Sequence, residues 1–326
     1  GISKPSELIW YVEKIISADS ASSNFFSFIP PIYLLVDISE LLNNNWQKPI
    51  EFTVKARDNE TDLYGIMHLP SFYNENDKYP VLNYIYPGPQ AGSVRNYSFS
   101  TTRRDFQSLA ELGFVVVAVD AMGTPGSSKS VQDAYYGNMG DNGLPDNIKT
   151  IKDLAKEYKG MDIERVGIWG HSGGGFASTR AIFEYPDFYD VAVSSAGNHD
   201  NRNYEADWGE KWQGLLENIT VEDDERSNDF NFNKTNYDNQ ANQLLAGNLK
   251  GKLMLAHGNM DNNVPPYNTL LVVDELIKAN KDFDLIIFPN KRHGFGDQNN
   301  YFTRRKWDYF VKHLLDLSPP ENFSLD

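Results

Sequence analysis

The chain has 326 residues, enough to bury a full hydrophobic core, and a formal net charge of −15. That charge, with no basic run to offset it, argues against a nucleic-acid partner, whose phosphates call for concentrated Lys and Arg. The absence of cysteine excludes disulfides, thiolate metal sites and a cysteine nucleophile, and no apolar run reaches the ~18 residues that a membrane helix needs.

Residues 1–48 carry an aromatic, irregular stretch with no clear period, and the chain starts Gly1-Ile2 rather than with Met, as a processed or recombinant piece of a longer protein would. From residue 49 the pattern becomes regular. Residues 50–56 and 62–69 alternate apolar and polar side chains around a turn at Asp58-Asn59, the form of two antiparallel strands at a half-exposed sheet edge. Short apolar runs follow at 81–86, 114–119, 166–169, 191–193, 253–256 and 285–288. Runs this short and apolar suit strands buried on both faces, hence a parallel sheet covered by helices. The intervening segments 146–158, 267–279 and 301–317 carry apolar residues at helical spacing. The stretch 196–249 is rich in Asn, Asp, Glu and Trp and shows no strand, the form of a lid or pocket-wall insertion after a sheet strand. One α/β domain over 49–326 with an insertion at 196–249 is the expected organisation.

The most informative segment is Val166-Gly-Ile-Trp-Gly-His-Ser172-Gly-Gly-Gly175, which runs from an apolar strand into the helix-like stretch 176–183. That is the sequence form of a nucleophile elbow, in which a tight turn lifts one serine above the sheet. Gly170 and Gly174 are expected to be glycine because side chains there would collide with neighbouring strands. Ser172 itself sits at a helix N-terminus, where free N–H groups favour developing negative charge. The fold that uses this turn is the α/β-hydrolase fold, a mostly parallel central sheet flanked by helices on both faces.

A serine hydroxyl needs an imidazole to accept its proton, and the imidazole needs a carboxylate to hold its tautomer. On this fold they follow in the order Ser, acid, His, each after a later strand. His293 follows the run 285–288 in a loop that Gly294 and Gly296 allow to turn, and it is the expected base; His313 falls inside the last helix. Asp261 is the only carboxylate in the loop after 253–256 and is the expected acid, with His257 ordering that loop through its ring nitrogens.

Taken together, Tyr79-Pro-Val…Tyr86-Pro-Gly-Pro, the elbow, His257-Gly…Asp261-Asn-Asn-Val264 and His293-Gly-Phe make the chain resemble the catalytic domain of the prolyl oligopeptidase family of serine peptidases, closest to its dipeptidyl-peptidase branch. The resemblance runs from about residue 49 to the end. It implies an oxyanion hole made by the Gly173 N–H and the Tyr86 phenol, an Asn263 that binds a substrate carbonyl, and a pocket for the residue before the scissile bond lined by Tyr204, Trp208 and Val264. It also implies an N-terminal β-propeller, too large to fit in residues 1–48, which would hold at most its remnant and a linker. Gly173 departs from the branch, which places a bulky aromatic there, and the stretch 197–202 is more polar than its counterpart. The expected function is a serine peptidase acting on short peptides with an apolar or proline residue before the cleaved bond, through Ser172, Asp261 and His293 and an acyl-enzyme. The alternative is a carboxylesterase. No metal or other cofactor is implied, since the serine mechanism supplies its own nucleophile and charge stabilisation. A homodimer is left open as the assembly, and an exported location is preferred to a cytoplasmic one.

Overall fold

The computed structural model describes residues 39–43, 46–94, 103–218 and 235–325. The segment 1–48 therefore lies outside the described residues except for 39–43 and 46–48, and the insertion lies outside them at 219–234. Eight strands form one sheet: β1 (Ile50–Lys55), β2 (Asp62–His68), β3 (Tyr79–Tyr84), β4 (Val115–Asp120), β5 (Met161–His171), β6 (Val191–Ser195), β7 (Lys252–Gly258) and β8 (Asp284–Phe288), in the order β1-β2-β4-β3-β5-β6-β7-β8. β1 and β2 form an antiparallel hairpin with Ile50 opposite Met67, and β2 runs antiparallel to β4. From β4 to β8 every pairing is parallel. The helices are α1 (Ser39–Asn43), α2 (Phe106–Glu111), α3 (Lys129–Gln132), α4 (Leu144–Glu157), α5 (Gly173–Glu184), α6 (Ala206–Gln213), α7 (Tyr267–Lys278) and α8 (Asn299–Leu314).

The apolar runs form strands because successive side chains point to opposite faces and both faces are covered. Val81, Val115 and Val117 pack with Ile151 and Leu154 of α4, Ala181 and Ile182 of α5, and Val272 and Leu276 of α7. Their neighbours Leu82, Val116 and Ala118 face the other way, against Phe106 and Leu109 of α2 and Tyr309, Phe310 and Leu314 of α8. The result is the α/β-hydrolase architecture.

Two details depart from the sequence expectation. β5 begins at Met161, five residues ahead of its apolar run, because Tyr79 and Pro80 pair with Met161 and Asp162 before a register shift at Pro80/Val81. Asp162, Glu164 and Arg165 interrupt the apolar Met161 and Ile163, so the leading part shows no continuous hydrophobic run. β8 is an edge strand with one neighbour, and Leu285 and Ile287 are exposed rather than buried on both faces.

The loop between β4 and α4 is fastened from the far side of the sheet. Arg57, just beyond β1, donates to Asp141 through both terminal nitrogens and to Asp146 at 2.8 Å, and the Asp146 side chain is fully buried. Burial works against the Arg57 charge, but these hydrogen bonds and the two carboxylate charges outweigh it and raise its pKa further. The loop thereby holds Met139 and Asn142 against the site described next.

Candidate active site

β5 ends at His171, and α5 starts at Gly173, so Ser172 alone makes the turn between them. Its φ of 58° and ψ of −121° lie where a residue with a side chain is strained, and the surrounding ladder holds it there: the Ser172 N–H donates to Ser195 O of β6 at 2.8 Å. The glycine requirement is steric. A Cβ on Gly170 would lie 2.4 Å from Ile85 O, and one on Gly174 would lie 2.3 Å from the same oxygen. A Cβ on Gly173 would meet nothing within 4 Å, so that position is open towards the cleft it lines.

The next two members come from the loops after β7 and β8. His293 Nδ1 lies 2.8 Å from Asp261 Oδ2, while Asp261 Oδ1 accepts the main-chain N–H groups of Asn263 at 2.9 Å and Val264 at 3.0 Å. The Asp261 side chain is fully buried, whereas His293 keeps a quarter of its side chain exposed. Burial alone would raise the Asp261 carboxyl, but hydrogen bonds from His257 and His293, the charge on His293 and the Asn263 N–H hold it well below the usual carboxylate range. An anionic Asp261 fixes the proton of His293 on Nδ1 and leaves Nε2 as an acceptor. His257 has the loop-ordering place expected of it: its Nδ1 meets Thr269 Oγ1 at 2.7 Å and its Nε2 lies 3.0 Å from Val264 O and 3.2 Å from Asp261 Oδ2.

Ser172, His293, Tyr86, Gly173, Asn263, Tyr204 and Trp208 all line one cleft of about 340 Å³. Tyr86 stands just past β3 with its side chain on the cleft, while its main-chain N–H is spent on Ser93 Oγ at 2.9 Å. The Tyr204 hydroxyl, pushed up to about 12 by burial and then by Glu205, stays protonated and donates to Asn263 Oδ1 at 3.1 Å. The Tyr204 and Trp208 rings meet edge to face at 5.6 Å. Val264, expected beside them, is placed elsewhere. It is fully buried and does not line the cleft, because its main chain is drawn inward by Asp261 and His257.

The cleft also holds residues that the sequence did not single out: Asn142, Asn198, Asn201 and His171. The His171 ring lies 4.8 Å from that of His293, and its Nδ1 meets Ser195 Oγ at 2.9 Å. Burial, and then the neighbouring His293, pushes His171 down to about 4, so it is neutral beside the expected base. Its place before Ser172 was its only signal in the sequence. For Asn198 and Asn201 the signal was the polarity of 197–202.

The profile of the prolyl oligopeptidase family matches residues 99–316. The chain is 30% identical to dipeptidyl peptidase 8 of Homo sapiens over 231 residues, which are 71% of this chain and 24% of that protein. It is 27% identical to prolyl endopeptidase FAP of Bos taurus over 290 residues, 88% of this chain and 36% of that one. Among solved structures, dipeptidyl peptidase 4 of Porphyromonas gingivalis superposes with a TM-score of 0.72 at 25% identity, covering 86% of this chain and 37% of that chain. The chain thus spans only about a quarter of the curated dipeptidyl peptidase it matches.

Proposed function

This chain belongs to the prolyl oligopeptidase family, and on that premise we propose that it is a serine-type peptidase of the dipeptidyl-peptidase kind, cleaving short peptides through an acyl-enzyme. In this reading His293 Nε2 takes the proton from Ser172 as its Oγ attacks the scissile carbonyl, and returns it to the leaving amine. Water then repeats the sequence on the ester. Asp261 stays anionic throughout, orienting the imidazole and stabilising its cationic form. The oxyanion receives the Gly173 N–H, at the start of α5 where main-chain donors have no partner within the helix, and the Tyr86 hydroxyl.

One observation carries the choice of peptidase over carboxylesterase. A hole built wholly of main-chain donors needs a free N–H from the loop after β3. Here the Tyr86 N–H goes to Ser93, Pro87 has none, and the Gly88 N–H goes to Tyr86 O at 3.0 Å. The start of that loop therefore has the Tyr86 phenol to offer instead. Asn263 adds a second support, since its carboxamide accepts from Tyr204 and leaves its own N–H groups for a substrate carbonyl.

The test is a comparison of chromogenic dipeptide amides with simple acyl esters, using Ser172→Ala as the blank. Amide turnover that vanishes in the blank supports the peptidase. Ester turnover with no amide cleavage would move the assignment to the carboxylesterase. As for assembly, Leu285 and Ile287, exposed on the unpaired edge of β8, suit a homodimer contact. Sedimentation of a Leu285→Lys variant tests that contact; an unchanged dimer would place it elsewhere.

A further inference from the structure

The cleft wall supplied by the insertion is mixed in character. Tyr204 and Trp208 present aromatic faces, but Asn198 and Asn201, each only 4% exposed, bound the same space, as does Phe176 of the elbow helix. The two asparagines are joined to each other, Asn198 Nδ2 donating to Asn201 Oδ1 at 2.7 Å. That single bond leaves Asn198 Oδ1 and Asn201 Nδ2 over. Neither atom has another protein partner among the described residues, and neither is among the fully enclosed polar atoms left without one. Both residues line the cleft, and these are the groups they have left to offer it. Exchanging O and N within both side chains would still leave one acceptor and one donor facing it, so the argument does not turn on amide orientation. Asn142, 2% exposed on the loop fastened by Arg57, adds a further carboxamide oxygen. No Asp, Glu, Lys or Arg lines the cleft among the described residues, so a charged side chain would find no counter-ion.

We propose that Asn198 and Asn201 make this pocket selective for a residue with an uncharged hydrogen-bonding side chain, a carboxamide or a hydroxyl, immediately before the scissile bond. The proposal rests on the peptidase reading above and replaces the apolar or proline preference expected from the sequence. An aliphatic or proline ring seated there strips water from a donor and an acceptor and returns nothing to either. A carboxamide or hydroxyl returns both bonds, while its carbon stem packs on Tyr204 and Trp208. Sites that hydrogen-bond a substrate group reject analogues lacking it far more strongly than apolar pockets reject a missing methylene.

The experiment is a set of dipeptide amides varied at the residue before the bond in shape-matched pairs, Asn against Leu and Thr against Val, with Pro as a fifth member. The expected result is a kcat/KM at least about tenfold higher for Asn than for Leu and for Thr than for Val, with Pro below Asn. In Asn198→Ala and Asn201→Ala, with active sites counted by fluorophosphonate labelling of a separate sample to show that each variant is folded, each preference should shrink to within about threefold. A wild-type enzyme that prefers Leu, Val or Pro overturns the proposal, as do preferences that survive both substitutions. The two readings fail differently: amide turnover with an aliphatic preference sinks the pocket proposal alone, whereas ester turnover without any amide turnover sinks the peptidase reading and the pocket proposal with it.

Discussion

The groups around Ser172 come from two regions built on different principles. Tyr86, Ser172, Asp261 and His293 stand at or just past the ends of β3, β5, β7 and β8, where neighbouring strands hold the main chain in register. Asn198, Asn201, Tyr204 and Trp208 stand on the segment after β6, which carries a short 3-10 turn at Asn201–Asn203 and the eight residues of α6. That segment is held by side chains instead: Gln240 Oε1 accepts the Asn201 N–H at 3.0 Å, Asn268 Oδ1 accepts the Asp200 N–H at 2.9 Å, and Arg202 pairs with Asp200 and Asp238. A ladder fixes atoms through many equivalent bonds, whereas a carboxamide network depends on each member. Chemistry that tolerates no misplacement sits on the first, and the wall that would choose the substrate sits on the second.

The comparison breaks most visibly at the triad. Ser172→Ala and His293→Ala should each lower kcat by about 10⁴-fold or more, and the double variant should lose little further, because the groups act as one unit. Steady-state turnover above about a hundredth of wild type in Ser172→Ala would remove this serine from the mechanism. Next in size is Tyr86→Phe. Losing a donor that engages oxygen only as its charge develops should cost about 10²–10³ in kcat with KM little changed. A variant within about threefold of wild type would count against the phenol and for main-chain donors elsewhere.

The insertion should answer differently. Trp208→Ala removes a pocket face without touching the reacting atoms, so we expect a loss of about tenfold in kcat/KM that depends on the substrate side chain, with Ser172 still reactive to a fluorophosphonate. A loss as large as that of Ser172→Ala and equal for every substrate would erase the distinction between the two regions.

The smallest effect concerns the scaffold that the first region relies on. His68, 1% exposed beneath α2 with Nδ1 3.2 Å from Gln107 Oε1, is pushed down by burial from 6.5 to about 4. The unfolded chain therefore binds the proton first. The stability that neutral His68 contributes is present above about pH 6.5 and is lost as pH falls towards about 4, at no more than about 1.4 kcal/mol per pH unit. In thermal melts, the lead of wild type over His68→Gln should shrink between pH 7 and pH 5 by a few degrees. A lead that stays constant over that interval would show that His68 is not neutral in the fold for the reason given.

Much of this was legible in order and type. All eight strands coincide with the short apolar or alternating runs, since a strand covered on both faces must be apolar at successive positions, as Val115 to Val119 are. The elbow was legible because Gly170 and Gly174 face Ile85 O too closely for any side chain. The leading half of β5 was not, because only Met161 and Asp162 pair there, through the main chain, before the register shift, and the polar Asp162, Glu164 and Arg165 break any apolar run. Val264 misled for the opposite reason. An apolar residue beside Asn263 suited a pocket wall equally well as a core, and only the pull of Asp261 and His257 on its main chain placed it inside.

What the sequence by itself determined is the list and the order: a parallel sheet, one serine in a turn that excludes side chains, one carboxylate and one histidine after later strands. These are local properties, set by period, by glycine and by what a short loop contains. Tertiary structure decided which groups share a space. Residues 86, 198 and 201 share a cleft with the serine at 172 only because strand order sets β3 and β6 on either side of β5, and residue 142 joins them on the loop that Arg57 holds. Whether a given Asn faces solvent, core or cleft depends on contacts between residues far apart in the chain, and that information exists only once the sheet has formed.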